Sequence, residues 1–315
     1  MALQPVQDSA RRADPRGGPA AMMHLLTEMG LWCVRVLAFS PAVIRRPVAS
    51  LLGRAAHRFA RRRRAVAATN LRLCFPQWTD QQRAAVIRQH FVCYARAFIE
   101  RFIVWFGNKD AVRSLVKLEG LEHFQAVQGR PVIVLAPHFL GLDAGGLRFQ
   151  LEQRFVSMYS NQSNPVLNAW TLQGRRRFND PIMISRQQGI ASLARWVRRG
   201  LPAYFLPDMD FGPRDALFIP FFGVPAATVT SVVRLSRSLH AVVLPLVTTM
   251  TERGYVARFY PGWQHPDDDQ QETIAQGIAR MNQFIEARVR ETPEQYLWTH
   301  RRFKSRPEGQ PPVYG

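Results

Sequence analysis

The stretch Pro131-Val-Ile-Val-Leu-Ala-Pro-His138-Phe-Leu-Gly-Leu-Asp143 decides how the rest of the chain is read. It is an apolar, strand-like run that ends at a histidine, with a carboxylate five positions later. In an open α/β sheet, ligands and chemistry collect at the carboxyl ends of strands, which is where His138 stands. Imidazole is the side chain best suited to take up a proton near neutral pH. A carboxylate on the same turn fixes the ring's tautomer and stabilises the imidazolium. His138 and Asp143 are therefore expected as general base and orienter, two parts of a triad that needs no protein nucleophile. The nucleophile is then a hydroxyl of the substrate.

Outward from this stretch, strands and helices alternate from about residue 115, the signature of a mainly parallel sheet. Strands are expected at 132–136, 155–159, 203–206, 241–248 and 255–259. Helices are expected at about 143–153, 165–177, 188–199, 227–239 and 268–291. Residues 22–110 read as wholly helical, with Phe91, Tyr94, Ala95, Phe98, Phe102 and Trp105 at core spacing. Thr79 followed by Gln82 marks a helix start after the turn at Pro76. The fold class is thus α/β, a mainly parallel sheet flanked by helices with an N-terminal helical, membrane-associating region. The expected organisation is a flexible tail over 1–20, the helical region over 21–110, the α/β domain over 111–308 and a tail over 309–315. The chain carries no Gly-rich phosphate loop, no GxGxxG after a strand and no GxSxG elbow, so nucleotide and serine-hydrolase readings lack a motif.

Charge and the first helix point toward lipid. The net charge is +19 over 315 residues, and the excess is mostly arginine, which grips phosphate bidentately. Residues 22–44 approach transmembrane length but contain His24, Glu28 and Arg35, so an amphipathic or marginally inserted anchor is expected. A basic stretch follows, with Arg45, Arg46, Arg54, Arg58 and the run Arg61–Arg64. Such clusters bind anionic lipid and hold the next domain on the cytoplasmic side. A solvated basic face or a nucleic-acid contact fits the same residues, but no nucleic-acid module is recognisable. Cys33, Cys74 and Cys93 are well separated and lack CxxC spacing, so neither a disulfide framework nor a zinc site is indicated.

Three further features accompany the histidine. Arg175, Arg176 and Arg177 form a cluster, with Arg186 shortly after. An arginine near a catalytic base binds substrate phosphate by a two-pronged contact, while a solvated positive face is the alternative. Asp208 and Asp210 follow a strand and are expected at the same sheet edge, either orienting an arginine or substrate hydroxyl, forming part of a metal pair, or shaping a turn. The apolar, Pro-rich stretch Phe218-Ile-Pro-Phe-Phe-Gly-Val-Pro225 reads as a loop that lines an acyl groove, touches the bilayer or belongs to the core.

Taken in order, several segments resemble the lipid A biosynthesis lauroyl/myristoyl acyltransferase family, the late acyltransferases of Gram-negative bacteria within the wider His-x4-Asp/Glu glycerolipid acyltransferases. They are Asn70-Leu-Arg-Leu-Cys-Phe-Pro76, Ala136-Pro-His-Phe-Leu-Gly-Leu-Asp143, the Gly174-Arg-Arg-Arg177 cluster, Pro207-Asp-Met-Asp-Phe-Gly-Pro-Arg214 and Pro293-Glu-Gln-Tyr-Leu-Trp-Thr-His-Arg-Arg-Phe-Lys-Ser-Arg-Pro307. The likeness spans roughly residues 20–308. Many members have glutamate where this chain has Asp143, which keeps the charge and shortens the reach. The resemblance implies a general base at His138 with Asp143 as orienter. It implies substrate or oxyanion contacts from Arg175, with Arg177 and Arg186 as further candidates, and from Asp208 in a segment shared with Asp210. It also implies an acyl carrier protein thioester as donor and a hydroxyl of a lipid A precursor as acceptor, in lipopolysaccharide biosynthesis. The implied location is the cytoplasmic face of the cell inner membrane, among anionic lipids, with no nucleic-acid partner and no bound cofactor or metal. A lysophospholipid, an ornithine lipid or another envelope glycolipid is the alternative acceptor.

Overall fold

Strand β2 (Val132–Leu135) is buried at every residue, as an apolar run covered on both faces must be. It lies at the centre of a seven-stranded sheet in a computed structural model that describes residues 19–267 and 271–315. The tail expected over 1–20 falls outside the described residues, except for its last two positions. Before the sheet come α1 (Pro19–Phe39), α2 (Ala42–Phe59), α3 (Arg61–Cys74), α4 (Asp80–Phe106) and α5 (Lys109–Leu115). The expected helix start is present as a reciprocal cap, with Thr79 Oγ1 accepting from Gln82 N and Gln82 Oε1 accepting from Thr79 N.

The remaining elements alternate. They are β1 (Val116–Glu119), α6 (Leu121–Gln125), β2, α7 (Leu142–Gln150), β3 (Val156–Tyr159), α8 (Pro165–Arg175), β4 (Ile182–Ser185), α9 (Gly189–Arg198) and β5 (Ala203–Phe205). Then follow β6 (Ala216–Phe221), β7 (Val224–Val229), α10 (Ser231–Ser238), β8 (Val242–Met250), β9 (Tyr255–Phe259) and α11 (Ile274–Glu291). The sheet order is β1-β9-β8-β2-β5-β3-β4. Strands β8, β2, β5, β3 and β4 are mutually parallel, β9 is antiparallel to β8, and β1 is parallel to β9. The mainly parallel α/β reading stands.

Two short strands, β1 and β4, were not expected, and the stretch 218–225 is not a loop. It forms most of a two-stranded antiparallel ribbon of β6 and β7. Its turn is Phe222-Gly223, both at positive φ (51° and 77°), as a tight two-residue hairpin requires. Pro220 and Pro225 face each other in the ribbon, where a missing N–H costs little. Phe221 and Ala226 are buried, so the ribbon is core.

Packing fixes the first turn of α7 closely against β8. A Cβ on Gly145 would lie 1.8 Å from Thr248 Oγ1, so only glycine permits this approach. Likewise a Cβ on Gly174 would lie 2.3 Å from Trp105, which seats α8 on the fully buried spine of α4. The C-terminal segment is also fixed. Asn70 Nδ2 donates to the carbonyls of Trp298 and His300 at 2.7 Å each, and Tyr314 Oη donates to Asn70 Oδ1. The end of the chain, expected as a tail over 309–315, is thus anchored on α3. Helix α1 is the one described helix long and apolar enough to cross a membrane by length and composition, and it exposes Leu25, Leu26, Met29, Trp32 and Val36.

Candidate active site

The register of the sheet brings the site together. Leu135 pairs with Phe205 across β2 and β5, so His138 and Asp208, each three residues further on, leave the same sheet edge side by side. His138 Nδ1 lies 2.6 Å from Asp208 Oδ1, and the His138 backbone N–H donates to Asp208 Oδ2 at 2.8 Å. With both oxygens engaged, the carboxylate holds ring and backbone together. Nδ1 then carries the proton, and Nε2 is left as the basic nitrogen; it has no hydrogen-bond partner among the described residues. Burial pushes the Asp208 carboxyl up, but the facing His138 outweighs it and holds the group below the usual carboxylate range.

Asp143 therefore does not hold the ring. Its Oδ1 accepts from Arg175 Nε at 2.8 Å, and its Oδ2 lies 2.9 Å from Arg101 Nε. Burial raises its pKa, and the two guanidinium groups, Arg175 first, overcome that and lower it. The expectation of Asp143 as orienter is corrected on this geometry: two arginines claim its oxygens, while a parallel neighbour strand delivers Asp208 to the histidine. Asp208, expected to touch substrate, is instead 1% exposed behind His138.

Asp210 is corrected as well. It is 3% exposed and accepts from Ser305 N at 2.6 Å, Ser305 Oγ at 2.9 Å and Gly212 N at 2.9 Å, so it clamps the C-terminal segment. Its own N–H donates to His300 Nε2 at 3.1 Å. That fits a neutral imidazole whose pKa is pushed down to about 4, mostly by burial. Arg177 turns away from the site, donating to the Gly107 carbonyl at 2.8 Å. Arg175 and Arg186 do line the same cleft as His138, and Arg186 lies 3.8 Å over the Phe211 ring. The terminal amino groups of Arg175 have no partner among the described residues.

Sequence reading missed several supports. Arg101 sits among the core aromatics Phe98, Phe102 and Trp105, and a lone arginine in such a stripe was the available signal. Gln295 and Leu297 hold the loop that carries His138: Leu140 N donates to Gln295 O at 2.8 Å, and Leu297 N to His138 O at 3.0 Å. Arg302, 2% exposed, donates to Ala227 O and Thr228 Oγ1 at 2.7 Å each and ties the same segment to the β6–β7 ribbon. Tyr204 Oη donates to Leu142 O at 3.1 Å beneath Asp143, and burial pushes its pKa up.

The cleft is open and holds about 1790 Å³, with a lining that mixes apolar groups such as Tyr94, Leu142, Ile190 and Leu206 with arginines. The volume exceeds the range of ordinary small-molecule pockets. A family model described as bacterial lipid A biosynthesis acyltransferase matches residues 20–305. The chain belongs to that family. It is an acyltransferase, and the match covers both the N-terminal helices and the whole sheet. Among curated relatives, the lipid A biosynthesis lauroyltransferase of Escherichia coli (strain K12) is 32% identical over 305 residues, 93% of this chain and 97% of that protein. The palmitoleoyltransferase of the same organism is 34% identical over 84% of this chain and 86% of its own length. The myristoyltransferase is 31% identical over 90% and 88%. Three relatives named for different acyl groups thus stand at nearly equal distance from one scaffold.

Proposed function

We propose that the protein transfers a fatty acyl group from an acyl carrier protein thioester to a hydroxyl of a lipid A precursor, with His138 as general base. The observation that carries this reading is the His138–Asp208 pair, which leaves Nε2 as the ring's basic nitrogen on a cleft large enough for a lipid. Nε2 takes the proton of the acceptor hydroxyl as its oxygen attacks the thioester carbonyl. The tetrahedral oxyanion forms beside the Arg175 guanidinium, which Asp143 holds in place. Collapse breaks the C–S bond, and the imidazolium returns its proton to the departing thiolate. The imidazolium formed midway is stabilised by the Asp208 carboxylate.

The location we infer is the cytoplasmic face of the inner membrane. The exposed apolar side chains of α1, followed by the basic residues of α2 and α3, support it. Each basic residue near an anionic surface contributes about 1 kcal/mol. An acidic carrier suits the same positive field. The test is direct. The purified full-length protein is given a panel of carrier-bound acyl thioesters with tetraacylated and pentaacylated lipid A precursors, and products are weighed by mass spectrometry. One added secondary acyl chain is the expected result. Turnover of lysophospholipid with the lipid A precursors untouched would reassign the acceptor.

A further inference from the structure

Six arginines line the cleft: one, Arg237, donates to the Glu272 carbonyl, and the other five fall into two sets. Arg101 and Arg175 both end on Asp143, which offsets one of their two positive charges within the protein. Arg186, Arg214 and Arg234 line the same cleft, yet none of them meets a carboxylate among the described residues. They come from three different segments but belong to one linked wall. Arg186 stacks on Phe211 at 3.8 Å, and Arg214 stands three residues further along that loop. The Asp215 carbonyl then accepts from Thr230 N at 3.2 Å and from Thr230 Oγ1 at 3.3 Å. Thr230 Oγ1 in turn accepts from Arg234 Nε at 3.1 Å, which aims that guanidinium from the start of α10.

Asp215 and Asp267 also line the cleft, and Asp267 lies against His240 Nδ1 at 3.1 Å. A solvated face of scattered arginines needs no explanation. Three uncompensated ones gathered in a concavity that also contains the catalytic base are different, because low-dielectric walls focus their field on whatever enters. The guanidinium fork matches phosphate oxygens in particular.

We propose that Arg186, Arg214 and Arg234 form a phosphate subsite that grips a phosphate ester of one reactant while its reacting group lies at His138. The proposal rests on the acyl-transfer reading and names the contact that reading leaves open. The phosphate has two possible sources: the glycolipid acceptor, or the phosphodiester of the pantetheine arm that bears the acyl group.

The experiment compares full-length wild type, the double variant Arg214→Ala/Arg234→Ala, and a charge-matched control, Arg195→Ala/Arg198→Ala, on exposed positions of α9 outside the cleft. Inorganic pyrophosphate binding is measured first, by calorimetry. The cleft variant is expected to weaken it by about tenfold or more, as loss of charged hydrogen bonds implies, and the control to leave it unchanged. Turnover is then measured with a phosphorylated acceptor against its dephosphorylated form, and with a carrier thioester against an acyl-pantetheine that lacks the phosphate. The variant is expected to raise KM by about tenfold for one phosphorylated reactant, with kcat little changed and no penalty on the form lacking phosphate. The reactant that shows this coupling is the source. Equal pyrophosphate binding in all three proteins would overturn the subsite. So would weakened pyrophosphate binding with both KM values unmoved. If the wild type turns over no substrate, the acyl-transfer reading fails on its own, and the pyrophosphate measurement still decides the subsite.

Discussion

Asp208 and Asp143 stand at one edge of the sheet, are both largely buried, and are both held below the usual carboxylate range, but by different partners. Asp208 faces an imidazole and the backbone N–H of the same residue. Asp143 faces two guanidinium groups. A carboxylate on a proton acceptor tunes a base, whereas a carboxylate between two fixed cations positions them and offsets part of their charge. What separates the two roles is strand register, not residue type. Asp208 is offset from β5 by the same three residues that separate His138 from β2.

The comparison can be broken first at the histidine that only one of the two acids serves. His138→Ala should lower kcat by about 10²–10⁴-fold with the circular dichroism spectrum and melting temperature preserved. Full activity in a folded His138→Ala protein would end the base assignment.

A second test separates Asp208 from its neighbour two residues on. Asp210 accepts three hydrogen bonds from Ser305 and Gly212 and none from the histidine. Asp210→Asn should therefore destabilise the fold by about 1–3 kcal/mol, read as a shift in the denaturant midpoint, while kcat per folded molecule changes little. A deep loss of kcat at unchanged stability would show that Asp210 belongs to the chemistry.

The gentlest effect concerns pH. His90 and His300 are both pushed down to about 4, chiefly by burial. The unfolded chain binds protons near pH 6.5 that the folded chain refuses, so their contribution is complete above 6.5 and is lost as pH falls toward 4. The slope is at most about 1.4 kcal/mol per pH unit for each histidine. Asp208 and Asp143, with lowered pKa values, add their loss only below the ordinary carboxylate range. Denaturant midpoints measured between pH 7 and 4 check the order. A stability that is flat across that interval contradicts it.

Much of this was legible in the chain. The five strands expected from apolar runs all form: β2 and most of β8 are covered on both faces and carry a continuous apolar signal, while β9 shows an alternating one, with Arg258 exposed. The capping box at Thr79 was legible because its chemistry is local. Strands β1 and β4 were not, since four residues at positions nearer the sheet edge carry little pattern. The β6–β7 ribbon was hidden by Pro220 and Pro225, which read as loop residues until they are seen opposite each other. His138 could be named from its place after β2, but its partner could not. Spacing along the chain pointed to Asp143, and only the pairing of β2 with β5 brings Asp208, 70 residues away, within 2.6 Å. Arg101 was lost for the same reason, being a long-range partner embedded in an aromatic helix face.

The central claim, that Asp208 and not Asp143 makes His138 a base, is tested most directly by measuring kcat of Asp208→Asn and Asp143→Asn side by side in folded, full-length protein. Asp208→Asn should lose about 10²–10⁴-fold, as a histidine deprived of its anionic partner does. Asp143→Asn should lose clearly less, with Asp143→Glu recovering part of the loss. An equal or deeper loss in Asp143→Asn would contradict the account and return the orienting role to Asp143.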